Sequence, residues 1–167
     1  MHDELTAVDI RKMEEEIEYR EQVLMPQIIK DVQTARAFGD LSENYEYKAA
    51  KQEQRKNWSR IRYLKQMVAS AVVIEDESKD GEAGLFDTLK IFLEDEEEES
   101  EIRLVTTLRQ NPLEGLISKE SPLGKALMGR KVGDRVQVQV SESYSYYCRI
   151  LAITKGEDDE TIPISSY

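Results

Sequence analysis

Asp40 and Glu43 stand three residues apart in Phe38-Gly39-Asp40-Leu41-Ser42-Glu43, a spacing open to two readings. At a helix start, Asp-x-x-Glu is the pattern of a capping box, in which each side chain satisfies a backbone amide of the other's residue. At the exposed tip of a long hairpin, the same two carboxylates lie open to a partner in a way few capping pairs do. The readings are compatible, because a capping carboxylate keeps a second oxygen free. Ser121 and Pro122 invite a nucleophile reading, but the single histidine is His2, which leaves no imidazole base in the carboxy-terminal half. Ser121 as a helix N-cap with Pro122 at the first helical position is the simpler expectation. Cys148 is the only cysteine, so it forms no internal disulfide, and a lone histidine builds no His-based metal site.

Two long helical runs position the acid pair. Over residues 8–37 the apolar residues Val8, Met13, Ile17, Leu24, Ile28, Val32 and Ala35 recur mostly at three, four or seven, the stripe of one helix face. Pro26 removes a backbone donor, which predicts a kink or a restart near Met25. A second run over residues 41–70 places Tyr47, Ala50, Gln54, Trp58, Ile61, Leu64 and Val68 on a common face. Only Phe38-Gly39-Asp40 separates the runs, with Gly39 suited to a left-handed C-terminal position and Asp40 to an N-cap. So short a link makes the helices antiparallel. At 1.5 Å rise per residue the hairpin is roughly 45 Å long.

After Ala71 the period changes. Thr88–Leu93 and residues 101–108, 133–140 and 144–153 alternate or cluster β-branched and aromatic residues, as half-buried strands do. The charged stretch 75–84, with Gly81 and Gly84, reads as a linker, so the chain divides near residue 78. The organisation expected is a hairpin over 1–76, a β-rich domain over 79–155 and a tail over 156–167. The acidic run 94–99 reads as a solvated hairpin turn.

The formal net charge of -11 argues against coating nucleic acid by bulk attraction. Any such contact is local, and its candidates lie on the second helix: Lys48, Lys51, Arg55, Lys56, Arg60, Arg62 and Lys65 against Glu53 alone. The residues farthest from the tip are expected to pair with acids of the first helix, such as Glu14 to Glu18 and Glu21. Lys48, Lys51 and Arg55, nearest the acids, are placed to touch phosphates, and Tyr45 to stack on a base. No stretch approaches the roughly 20 apolar residues of a membrane span, and residues 1–10 carry no signal-peptide core. A cytoplasmic protein without a membrane partner is the expectation.

The segment Phe38-Gly39-Asp40-Leu41-Ser42-Glu43-Asn44-Tyr45-Glu46-Tyr47-Lys48-Ala49-Ala50-Lys51 closely resembles the hairpin-tip signature of the GreA/GreB family of bacterial transcription elongation factors. Lys119-Glu120-Ser121-Pro122-Leu123-Gly124-Lys125-Ala126-Leu127 is similar to that family's carboxy-terminal Ser-Pro signature, and Met25-Pro26-Gln27-Ile28-Ile29 to a stretch of its first helix. The resemblance implies an α+β protein, an antiparallel coiled-coil hairpin followed by a β-rich FKBP-like domain. It implies a monomer that docks on bacterial RNA polymerase through Ser121, Pro122, Leu123, Gly124 and Lys125. The tip then passes down the secondary channel to the nascent RNA 3′ end of the elongation complex. Asp40 and Glu43 act there with Mg²⁺ shared with the polymerase, stimulating cleavage of backtracked RNA. No intrinsic cofactor and no enzymatic activity of the isolated chain are implied. Tyr45 departs from the family's usual alanine, and Lys48 from a common histidine. Two rivals follow: a paralogue that occupies the channel without stimulating cleavage, and a prolyl isomerase suggested by the fold alone.

Overall fold

The computed structural model describes residues 4–39 and 44–166. Asp40, Leu41, Ser42 and Glu43 lie outside the described residues. The chain forms two compact units, one of Met1–Asp9 with Val72–Tyr167, the other of Ile10–Ala71. Where the sequence suggested one cut near residue 78, the divisions fall after Asp9 and after Ala71.

The helical unit is built from α1 (Ala7–Tyr19), a π-helical turn (Arg20–Leu24), α2 (Met25–Arg36) and α3 (Tyr45–Ser70). The restart expected at Pro26 is present, and its form has a physical cause. Pro26 occupies the first turn of α2, where its missing amide is harmless, and the Met25 amide reaches back to the Arg20 carbonyl in a wide i−5 turn. Met13, Met25, Ile28 and Ala35 are buried on the first arm, and Ile61 and Leu64 on α3.

One seam position differs from the expected stripe. Alternating steps of three and four from Tyr47 run through Ala50, Gln54, Asn57, Ile61, Leu64 and Val68, so the heptad falls on Asn57. Asn57 is 2% exposed, whereas Trp58 is 49% exposed. The Asn57 Oδ1 accepts from Arg20 Nη1 at 2.9 Å, and its Nδ2 donates to the Arg20 carbonyl at 3.2 Å. Glu16 joins the cluster, accepting from Arg20 Nε at 2.8 Å and from Arg60 Nε and Nη2 at 2.7 and 3.2 Å.

The globular unit holds a five-stranded sheet in the order β5-β4-β3-β7-β6. Its strands are β3 (Thr88–Leu93), β4 (Glu98–Val105), β5 (Leu116–Ser118), β6 (Arg135–Gln139) and β7 (Ser145–Thr154). All neighbours are antiparallel except β4 and β5. Alternation along β3, β4, β6 and β7 turns Leu89, Ile91, Ile102, Leu104, Val136, Val138, Cys148 and Ile150 into one core, which the short helix α4 (Pro122–Leu127) covers with Leu127. Burial pushes the Cys148 thiol up to about 11, so it stays protonated and serves as a small core hydrophobe. Residues 94–97 form the expected turn, although Glu94 is paired there with Arg135 and Arg149.

Three features of this unit escaped the sequence reading. β1 (Glu4–Leu5) and β2 (Val72–Val73) form a parallel pair, and residues 107–109 turn in a 3-10 geometry instead of prolonging β4. Residues 156–166, read as a tail without structure, are packed. Ile162 is buried, the Ser165 amide donates to the Leu108 carbonyl at 2.7 Å, and Asp158 pairs with Arg109. Arg109, 1% exposed, also pairs with Asp9 at 2.6 Å, donates to the Asp159 carbonyl at 2.9 Å and lies 4.8 Å from the Phe86 ring centroid. Asp9 and Thr6 cap each other reciprocally at the start of α1, through Thr6 N–H to Asp9 Oδ2 (3.1 Å) and Asp9 N–H to Thr6 Oγ1 (3.3 Å).

The seam gives a pH-dependent expectation. Burial works against ionisation of Glu16, yet hydrogen bonds from Arg60 and Arg20 hold its carboxyl below the usual value of 4.5. A depressed carboxyl contributes stability that is present above its unfolded value and is lost as pH falls through its folded value. Glu16→Gln should therefore lower unfolding free energy at neutral pH by about 1–2 kcal/mol, since it removes the carboxylate that accepts from both Arg20 and Arg60. In urea melts over a pH series, the gap from the unsubstituted chain should close well below pH 4.5. A gap unchanged into acid would mean the ion pair contributes nothing.

Candidate functional site

The tip of the helical unit is organised by Asn44. α2 ends with the Ala37 amide shared between the carbonyls of Gln33 (3.2 Å) and Thr34 (3.3 Å), and Gly39 follows at φ +114°, a left-handed value that favours glycine. On the other arm Asn44 is the N-cap of α3. Its Oδ1 accepts from the Tyr47 amide at 3.0 Å, and its Nδ2 donates to the Ala35 carbonyl at 2.6 Å. One amide side chain thus starts the second helix and ties it to the last turn of the first. The second helix therefore starts at Tyr45, later than the expected Leu41. The expected Asp40 cap and the Asp40/Glu43 pair lie outside the described residues.

The sequence-predicted cations next to the tip share one face of α3, as their i, i+3, i+7 spacing requires. Lys48, Lys51 and Arg55, with Tyr47 and Gln52, line a shallow depression of ≈ 390 Å³. Lys51 Nζ donates to Gln54 at 3.0 Å, and Lys48 Nζ lies 5.7 Å from the centroid of the Tyr45 ring. Tyr45 is 81% exposed, and Phe38 across the link is also exposed. Among the described residues no carboxylate pairs with Lys48, Lys51 or Arg55. Farther from the tip two bases pair with the first helix as expected, Arg60 with Glu16 and Lys65 with Glu21, whereas Lys56 pairs within its own helix with Glu53 at 3.6 Å and Arg62 is exposed. Three cations without a paired carboxylate among the described residues therefore share the face nearest the tip.

In the globular unit the Ser121 hydroxyl is fully used by the backbone. It accepts from the Gly124 amide at 3.0 Å and donates to the Ser118 carbonyl at 2.7 Å, with Pro122 in the first turn of α4. The nucleophile reading of Ser121 is thereby replaced by the capping role the sequence favoured. Gly124 is sterically required, because a Cβ there would stand 2.0 Å from the Ser118 carbonyl oxygen. Leu123 packs against the core, so of the five expected docking residues Pro122 and Lys125 face outward. In the chain before them, burial works against the charge on Lys119, but the hydrogen bonds its Nζ donates to Glu4 and Glu120 outweigh it and raise its pKa.

A helical hairpin whose second arm is capped by Asn44, in one chain with a sheet domain that carries a Ser-Pro helix entry, defines a two-part α+β protein. Comparison with known proteins gives its family. Residues 4–73 match the family described as "Transcription elongation factor, N-terminal", and residues 77–155 the one described as "Transcription elongation factor, GreA/GreB, C-term". The transcription elongation factor GreA of Caldanaerobacter subterraneus subsp. tengcongensis is 43% identical over 137 residues, covering 81% of this chain and 87% of the relative. GreA of Macrococcus caseolyticus is 37% identical over 150 residues (90% and 95%), and GreA of Bacillus subtilis 40% identical over 136 (81% and 86%). Among solved structures, the GreA factor homolog Gfh1 of Thermus thermophilus aligns at TM-score 0.42 with 24% identity, over 93% of this chain and all of that one. The chain belongs to the GreA/GreB family of transcription elongation factors.

Asn44 was the functional residue that sequence reasoning missed. Its signal was available, since asparagine ranks with aspartate and serine as an N-cap. Asn44→Ala should cost about 1 kcal/mol through the cap alone, and it also removes the tie to Ala35. Amide hydrogen exchange should show faster exchange at Tyr47 and Lys48, with Ile61 and Leu64 unchanged. Equal protection at Tyr47 in both proteins would remove Asn44 from the tip's construction.

Proposed function

We propose that this chain is a transcript-cleavage factor of bacterial RNA polymerase. Its hairpin tip enters the polymerase secondary channel, where Asp40 and Glu43 stimulate endonucleolytic cleavage of backtracked nascent RNA. The observation that carries this reading is the capping of α3 by Asn44. The strongest structural explanation for an acid pair at this spacing was a capping box at the start of that helix, and α3 has Asn44 as its cap. The reading therefore assigns the two acids to chemistry; next to them in sequence stand an exposed tyrosine and cations with no carboxylate partner among the described residues.

The chemistry of this donor set suits Mg²⁺ in part. Two carboxylates supply hard oxygen ligands, and an octahedral ion that keeps waters and substrate phosphates takes the remainder from the polymerase and the RNA. Asp40 and Glu43 would hold the ion, which when bound neutralises phosphate charge and activates water. Among the described residues no group of three His, Cys, Asp or Glu side chains is disposed to hold a metal, and the further ligands are the partner's to supply. Lys48, Lys51 and Arg55 bind backbone phosphates of the extruded RNA, and Tyr45 stacks on a base. Pro122 and Lys125 on α4 contribute to docking on the polymerase.

A second reading, a paralogue that fills the channel without stimulating cleavage, is favoured by one observation. Tyr45, 81% exposed, adds bulk and an aromatic surface beside the acids.

Cleavage in a stalled, backtracked complex with the cognate polymerase separates the two. Asp40→Asn and Glu43→Gln should keep polymerase affinity and melting temperature. Each should lower stimulated cleavage by at least the roughly 10–100-fold that losing even an outer-shell partner costs a metal site. Full cleavage by both variants removes the acids from the chemistry, and an inactive unsubstituted chain that still binds favours the channel-filling reading.

The cations generate a separate expectation. The Lys51→Ala, Arg55→Ala double variant should weaken engagement of the backtracked complex most at low salt. It should also flatten the dependence of log affinity on log salt by about 0.7 for each RNA phosphate that the variant leaves without its cation. An identical salt slope would place both side chains away from RNA.

A further inference from the structure

The globular unit carries a groove of ≈ 620 Å³ lined by Glu4, Lys119 and residues of the segments 73–78, 82–85 and 128–129. Its floor is apolar: Val73, Ile74, Ala83, Leu85 and Met128 line it. Val72 and Val73 are 53% and 60% exposed, on a strand that among the described residues pairs with β1 alone, so one backbone edge of β2 is open. Its rim is acidic, with Glu4, Glu75, Asp76, Glu77 and Glu82 against a single cation, Lys119. That cation is already paired with Glu4 and Glu120. Among the described residues no cation pairs with the side chains of Glu75, Glu77 or Glu82.

Apolar groove floors with an unneutralised rim of one sign are complementary to segments of the opposite sign that carry an apolar anchor. Bare like charges so close together also repel one another in the free protein, and a cationic segment relieves that repulsion. Lys119 and Met128, which line the groove, flank α4 in the chain, and α4 carries Pro122 and Lys125, the residues assigned to docking above.

We infer that this groove receives a lysine- or arginine-rich segment of RNA polymerase bearing an apolar side chain, which the rim carboxylates steer and the Val73–Met128 floor anchors. The inference rests on the docking role proposed for α4. The Glu75→Gln, Glu77→Gln, Glu82→Gln triple variant removes three rim charges without touching the core, and Val73→Asp spoils the floor. Both are measured as full chains against core polymerase over a salt series, with melting temperature as the check on folding. Lys125→Glu serves as the parallel probe of α4.

The triple variant should bind about tenfold more weakly at low salt, chiefly through slower association, with the difference shrinking as salt screens the rim. Val73→Asp should weaken binding at every salt concentration. If Lys125→Glu weakens binding while the triple variant and Val73→Asp match the unsubstituted chain, the groove proposal falls and the α4 surface stands. If none of the three changes affinity, the docking reading and the groove fall together. Loss in the groove variants alone upholds the groove and removes Lys125 from the contact.

Discussion

The hydrogen-bonded cluster of Glu16, Arg20, Asn57 and Arg60 is the interaction on which the helical unit depends. An apolar seam between two helices tolerates sliding, because one leucine substitutes for the next at little cost. A buried amide that must meet one particular carbonyl does not slide. Asn57 finds the Arg20 carbonyl and guanidinium only in this register, and any shift by a heptad would bury its polar atoms unsatisfied. Replacing such a cluster with leucines can raise stability, since buried ion pairs recover their desolvation cost incompletely. Its contribution is a single alignment of the two arms.

Register matters because it is read out at the tip. The side chain of Asn44 reaches the Ala35 carbonyl at 2.6 Å only if the arms end level with each other. The wide turn at Arg20–Leu24 is part of the same arrangement. It inserts an extra residue into the first arm, lets Pro26 begin a new helix without a clash, and brings Met25, Ile28 and Ala35 back onto the seam. The sequence of causes runs from a proline, through a local change of helical pitch, to the alignment of a capping residue. The described ends of the two arms, Gly39 and Asn44, are thereby fixed relative to each other.

Much of this was legible in the sequence, for reasons that differ by element. Helix periodicity survives over many residues, so the two arms, the short link and the restart at Pro26 could be read. The cap of Ser121 with Pro122 is a local pattern and was equally plain. Trp58 was misplaced because apolarity outweighed spacing: a strict heptad leads to Asn57, and the larger neighbour drew the stripe aside by one residue. β1, β2 and β5, two or three residues each, are too short to show a period. The clasp around Arg109 joins residues from positions 6 to 159 and has no local signature at all. It also explains why residues 156–166, polar and without period, are nonetheless packed. At the site, the shared face of Lys48, Lys51 and Arg55 could be read from their spacing, whereas Asn44, whose capping signal was present, was passed over because Asp40 offered an earlier and equally good cap.

The allocation of charge is the remaining constraint. A chain of net charge -11 is repelled by nucleic acid as a whole. Within a Debye length of about 8 Å at physiological salt, however, only neighbouring charges are felt, and the local balance differs from the total. On α3 the more distant Arg60, Lys65 and Lys56 are paired with Glu16, Glu21 and Glu53, while Lys48, Lys51 and Arg55 have no paired carboxylate among the described residues. Positive charge is thereby concentrated on the face nearest the tip, and at this screening length an anion would have to come within contact distance to gain from it.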